Sequence, residues 1–96
     1  GERQQEFLTD CAEYLGEWLT VQEINTGMQL VGRFTVPRSD KEFCKRAARH
    51  QVDVTPLSSH YRHSAPEQGV IMGYTGVSTK ERRQGLDRLR TTFRER

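Results

Sequence analysis

Residues 52–75 read VDVTPLSSHYRHSAPEQGVIMGYT, and they divide into a strand, a long polar loop and a second strand. VDVTPL, at 52–57, closes on Pro56, whose missing N–H suits an edge or terminating strand. SSHYRHSAPEQ, at 58–68, is polar and holds most of the chain's unusual side chains. GVIMGYT, at 69–75, is the most apolar stretch of the chain, as expected of a central, well-buried strand.

Working outward, Ser78-Thr79-Lys80-Glu81 has the S-x-x-E form of a capping box and opens a last helix. Its core face is expected to be Arg82 (by its aliphatic stem), Gly85 or Leu86, Leu89 and Phe93, with Arg83, Asp87, Arg88, Arg90, Arg94 and Arg96 outside. Upstream, Ser39-Asp40-Lys41-Glu42 repeats the capping form and begins a helix running to about His50. Phe43, Cys44, Ala47 and Ala48 supply its narrow apolar face, while Lys41, Lys45, Arg46 and Arg49 form a solvated basic face.

Before that helix, WLTVQEI at 18–24 and Met28 to Val36 form two strands joined by the Asn25-Thr26-Gly27 turn, an antiparallel hairpin. Met28, Leu30, Phe34 and Val36 share one face, and Gly32 interrupts the row, which predicts a bulge or a close backbone approach. Residues 3–17 read as a helix with Phe7, Leu8, Cys11, Tyr14, Leu15 and Trp18 on its buried stripe. Arg3, Gln4, Glu6, Asp10, Glu13 and Glu17 are placed towards water, and Gly16 is a stop. No N-cap residue precedes this helix, which predicts that the natural chain is longer. The order α-β-β-α-β-loop-β-α predicts an α+β two-layer sandwich, a mostly antiparallel sheet with helices on one face.

Composition bounds what such a domain can be. Ninety-six residues make a single domain, 1–96, and 33% hydrophobic residues with a mean hydropathy of -0.83 also fit a piece of something larger. The net charge of +2 is too weak to argue for nucleic acid by itself. Cys11 and Cys44 fall on apolar helix faces and read as small buried hydrophobes of a reducing compartment. No apolar run suits a membrane span and no signal-peptide pattern appears, so the expected location is cytoplasmic.

A search for chemistry excludes more than it finds. Gly69, Gly73 and Gly76 lie in or just past a strand, so they form no phosphate-binding loop before a helix. His60 and His63 make a His-x-x-His pair with no third or fourth ligand nearby, and no metal is expected. Lys41, Lys45 and Lys80 all sit on helix surfaces, where nothing lowers an amine's pKa for Schiff-base work. Catalysis by these residues alone is not expected.

Val52-Asp53-Val54-Thr55-Pro56-Leu57-Ser58, Tyr61, Pro66 and Gly69-Val70-Ile71-Met72-Gly73-Tyr74-Thr75 together resemble the C-terminal part of MocR-type transcription regulators. Gly85 in the last helix and Thr26-Gly27-Met28-Gln29-Leu30-Val31 in the hairpin extend the resemblance over nearly the whole chain. Such regulators join a GntR-like winged helix to a domain like fold-type-I, pyridoxal-phosphate-dependent class I aminotransferases. The resemblance implies that this chain is the small C-terminal subdomain, a fragment inactive alone, whose partner is the large cofactor-binding domain of the same parent. It also implies a homodimeric parent that binds pyridoxal 5'-phosphate, and DNA through its N-terminal domain, with no cofactor bound by the fragment itself.

In aminotransferases the small domain often supplies an arginine to the substrate carboxylate, which a guanidinium holds in bidentate fashion. The resemblance places Ile71 at that position. Arg62 in the loop is the substitute candidate, with Tyr61 and His60 beside it as further substrate-binding candidates. Two other identities remain open at this point. One is the small domain of a catalytic class I aminotransferase; the other is an independent nucleic-acid-binding α+β module built on the arginine-rich last helix.

Overall fold

The computed structural model describes residues 2–24, 29–60, 67–73 and 77–95. Helix α1 spans Glu2–Leu15 and buries Phe7, Cys11 and Leu15, one residue per turn along a single face. It stops where Gly16 N–H still reaches Ala12 O at 3.1 Å and Trp18 N–H turns back to Leu15 O at 2.9 Å. Strand β1, Leu19–Ile24, then pairs antiparallel with β2, Gln29–Phe34, in a continuous register from Leu19 opposite Phe34 to Ile24 opposite Gln29. The connecting turn, with Met28, lies outside the described residues.

Helix α2, Asp40–Arg49, starts at Ser39, whose hydroxyl accepts from the Glu42 N–H at 3.3 Å. Strand β3 is only Thr55–Pro56, and strand β4 is Gly69–Gly73. β4 pairs antiparallel with β2 on one side and β3 on the other, giving the sheet order β1-β2-β4-β3. Helix α3, Thr79–Arg94, opens on Ser78 with the full reciprocal box: Ser78 Oγ accepts from Glu81 N–H, and Glu81 Oε1 accepts from Ser78 N–H.

The pleat sends alternate side chains to opposite faces. Leu19, Val21, Leu30, Phe34, Val70 and Met72 meet Phe7, Cys11 and Leu15 of α1, Phe43 and Ala47 of α2, and Leu86, Leu89 and Phe93 of α3 in one core. Thr20, Gln22, Val31, Arg33 and Ile71 occupy the other face, outside that core. The molecule is the expected α+β two-layer sandwich. One end of the core is aromatic: Trp18 stacks on Phe93 at 5.2 Å between centroids, Phe93 stacks on Phe43 at 4.2 Å, and Phe34 meets both edge-on.

Four local expectations are corrected. VDVTPL contributes only two strand residues, because Leu57–His60 winds into a 3-10 turn immediately after Pro56. Of the two roles expected of Gly32, the bulge is absent, since the register runs straight through it, and the close approach is present: an added Cβ would lie 2.9 Å from Leu19 Cδ1, and a Cβ on Gly69 would meet Gly32 O. Val36 leaves the apolar row of β2 and is 40% exposed, the chain having turned after Phe34 towards α2. The fourth concerns Asp10 and Arg82. Asp10 faces inward rather than water, and Arg82 buries its guanidinium as well as its stem, since Asp10 Oδ2 takes both Nε at 3.1 Å and Nη2 at 2.8 Å. Each is buried only because the other neutralises it.

Candidate functional site

The polar loop that the sequence singles out is anchored at one side chain. Asp40 is the first residue of α2, and it is completely buried. Its carboxylate turns away from its own helix, and Oδ2 accepts from Ser58 N–H at 2.8 Å and Gly69 N–H at 3.1 Å, while Oδ1 accepts from Ser58 Oγ at 2.6 Å. Its backbone N–H donates to Gln68 Oε1 at 2.8 Å. The positive end of the α2 dipole favours an acid there. Ser58 lies on the way into the loop and Gln68 and Gly69 on the way out, so one carboxylate clamps both ends of the segment 61–66. Phe34 N–H donates to Gln68 O at 2.9 Å and ties the same exit to β2.

Gly69 is required by that clamp. A Cβ there would stand 2.2 Å from Gly32 O, against backbone that cannot retreat, so only glycine lets β4 start this close to β2. Tyr61 and Arg62 lie outside the described residues, as does the side chain of His60, whose backbone closes the 3-10 turn. The described residues here are those at the base of the loop.

Ile71 sits two residues beyond the clamp, on the face outside the core, paired with Val31 on β2 and Thr55 on β3. Val31 is 2% exposed, an apolar neighbour for Ile71 on that face. One step along β2, Arg33 shares the face; it pairs with Glu67 at the loop exit and donates from Nη1 to Gln22 Oε1 at 2.9 Å. This half-buried guanidinium is a basic group on the Ile71 face. Its signal in the sequence was parity alone: Val31 and Arg33 alternate with Leu30 and Gly32.

Reactive groups are scarce. Burial pushes the Cys11 thiol up to about 12, helped by the nearby Asp10 charge, and pushes Cys44 up to about 12, helped by Asp40 and Asp53. Both thiols are free and too poorly ionised to act as nucleophiles. Among the described residues no three His, Cys, Asp or Glu side chains group in a way that could hold a metal ion. No described helix is long and apolar enough to cross a membrane.

Comparison with known proteins says what the chain is similar to. No family model matches the chain. It is 42% identical over 92 residues to a probable rhizopine catabolism regulatory protein MocR of Rhizobium meliloti, a match covering 96% of this chain and 19% of that protein. It is 30% and 32% identical to two uncharacterised HTH-type transcriptional regulators of Bacillus subtilis, YdeL and YhdI, over 83% and 82% of its length and 17% of each of theirs. The chain thus spans about a fifth of the relatives it matches. Among solved structures, the kynurenine aminotransferase of Pyrococcus horikoshii superposes with a TM-score of 0.81 at 21% identity, over 95% of this chain and 22% of that one. The α-aminoadipate aminotransferase LysN of Thermus thermophilus gives the same TM-score at 16% identity, over 95% and 23%. Sequence and fold together make this chain a small aminotransferase-like domain of MocR type.

Proposed function

We propose that residues 1–96 are the C-terminal subdomain of the effector-sensing half of a MocR-type transcription regulator, working as a wall that closes on a ligand held by a larger domain. The observation that carries this reading is the pairing of regulator sequence with aminotransferase fold: 42% identity over 96% of the chain on one side, a TM-score of 0.81 on the other. In the parent protein, pyridoxal phosphate is held by the large domain, DNA is bound by an N-terminal winged helix, and the protein is a cytoplasmic homodimer.

The chain's own lysines do not fit covalent attachment of that cofactor. Lys41, Lys45 and Lys80 are all exposed, so none has the desolvation that turns a lysine into a nucleophile. The subdomain instead presents the loop held at Asp40, with Tyr61, Arg62 and His60 as its ligand-facing candidates. Ile71 offers an apolar contact where a catalytic relative would hold a carboxylate. Arg62 takes over the carboxylate, and the regulator senses its effector without needing to turn it over.

The test is to read and express the whole parent frame. A winged-helix segment upstream, cofactor absorbance in the full-length protein and loss of effector response in Arg62→Ala are the expected results. A parent with transaminase activity and no winged helix would replace the regulator with an enzyme while leaving the fold assignment intact. Nucleic-acid binding by the 96-residue chain itself, with a steep salt dependence, would overturn both.

A further inference from the structure

The connection from β2 to α2 and the first two turns of α2 enclose an open cleft that the proposed function leaves unused. Its apolar part is Trp18, Val36, Pro37 and the ring of Phe43. Val36 is the large hydrophobic residue that stands exposed on the described surface. Its polar part is dominated by two guanidinium groups. Arg38 lies over Phe43 at 5.2 Å and Phe93 at 5.4 Å, and donates to Phe93 O at 3.0 Å and Thr92 O at 3.3 Å. Those two bonds close the C-terminal turn of α3 and leave Arg38 with donors to spare, since a guanidinium has five.

Arg46 lines the same cleft and makes no ion pair among the described residues. Burial of Arg38 itself lowers its pKa most, the charge of Arg46 lowers it further, and Glu95 acts in the opposite sense. Glu42 is the acidic residue of the lining, and its carboxylate reaches neither arginine within 4 Å. Arg49 and His50 continue the basic strip beyond Arg46, where His50 Nε2 meets Glu95 Oε1 at 2.9 Å. The cleft therefore combines a tryptophan, an exposed valine and two guanidinium groups, neither of them ion-paired to the Glu42 that shares the lining. Aromatic and arginine side chains side by side are the composition of interface anchors.

We propose that this cleft docks an acidic peptide segment of a partner protein, with an apolar side chain seated between Trp18 and Val36 and carboxylates bridging Arg38 and Arg46. Charge complementarity selects the occupant. A carboxylate between the two guanidiniums relieves their repulsion and takes charge-assisted hydrogen bonds from both, that of Arg38 being held in place over the Phe43 and Phe93 rings. This surface is separate from the loop at Asp40, so the proposal stands whatever the parent's effector is.

Trp18 is the single tryptophan of the chain and lies in the cleft, so its emission reports occupancy directly. The 96-residue chain is titrated with an acetylated Leu-Glu-Asp-Glu peptide at low salt, and with its Leu-Gln-Asn-Gln counterpart. The acidic peptide is expected to change Trp18 emission saturably. The neutral one, and the acidic one on Arg46→Glu, should bind at least about tenfold more weakly, as expected for loss of a charge-assisted hydrogen bond. Arg46→Glu is a helix-surface change, so an unaltered far-UV circular dichroism spectrum excludes unfolding as the cause. Saturation of Trp18 by both peptides alike overturns the electrostatic half of the proposal. No response to either peptide, or equal response to tripolyphosphate, overturns the peptide site altogether.

Discussion

Asp40→Ala removes one carboxylate and strands three donors at once, the Ser58 N–H, the Ser58 hydroxyl and the Gly69 N–H, two of them backbone groups that have nowhere else to turn. Each buried unsatisfied donor costs about 1–3 kcal/mol, so the substitution is expected to destabilise the domain by about 3 kcal/mol or more in urea unfolding. Asp40→Asn keeps an acceptor oxygen and should cost visibly less. If the two variants unfold alike, the clamp is not what holds the loop base. The thiols make a second prediction at this scale. Cys11 is pushed up to about 12 from an ordinary 9.0, so the fold favours the neutral thiol. That contribution is fully present below pH 9 and is lost as pH rises towards 12. Stability should fall through this window, and fall less in Cys11→Ala, by thermal melts at stepped pH. At pH 8, native Cys11 and Cys44 should resist a disulfide reagent that labels both promptly in urea. Prompt labelling of the native chain would show that the helix faces open.

At the scale of elements, α3 is held at its start by a cap and, in its first turn, by an ion pair to α1. Ser78→Ala removes a reciprocal box and should cost about 1 kcal/mol. Hydrogen bonding to Ser78 also lowers the Glu81 pKa, so the box weakens as acid protonates Glu81. The Asp10–Arg82 pair joins α1 to α3, with Glu6 at 3.8 Å and Arg83 at 3.5 Å around it. Asp10→Ala leaves a buried guanidinium without its partner and should cost about 3–5 kcal/mol, whereas Asp10→Leu combined with Arg82→Met should cost much less. A double-mutant cycle with no coupling between the two positions would mean that the pair does not act as a unit. The helices themselves were legible from the sequence, because apolar residues recur at Phe7, Cys11 and Leu15 and at Leu86, Leu89 and Phe93, and both serine caps stand in plain S-x-x-E form. The extent of β3 was not. Alternation in VDVTPL signals a strand, but only pairing to β4 decides how much of it joins the sheet, and that pairing ends at Pro56.

For the molecule as a whole, the two faces of the sheet make neighbouring residues of β4 behave differently. Val70 is fully buried against the helices, while Ile71 lies half-buried on the opposite face. Val70→Glu places a charge in the hydrophobic core of a marginally stable domain and is expected to unfold it. Ile71→Glu should stay within about 1 kcal/mol of the parent chain, as substitutions away from the core do. Circular dichroism melts of the two variants check the register, since a one-residue slip would exchange their outcomes. Taken alone, the amino-acid order determined the helices, their caps, the hairpin, the apolar strand at 69–73 and the family resemblance, because each of these is written in neighbours a few residues apart. Tertiary structure decided which charges go inside. Asp10 looks like a solvent-side helix residue until Arg82, 72 positions later, lies against it, and Asp40 looks like helix-capping charge until Ser58 and Gly69, 18 and 29 positions away, converge on it. A buried charge is tolerable only with its partners in place, and no local pattern states which distant partners the fold will bring.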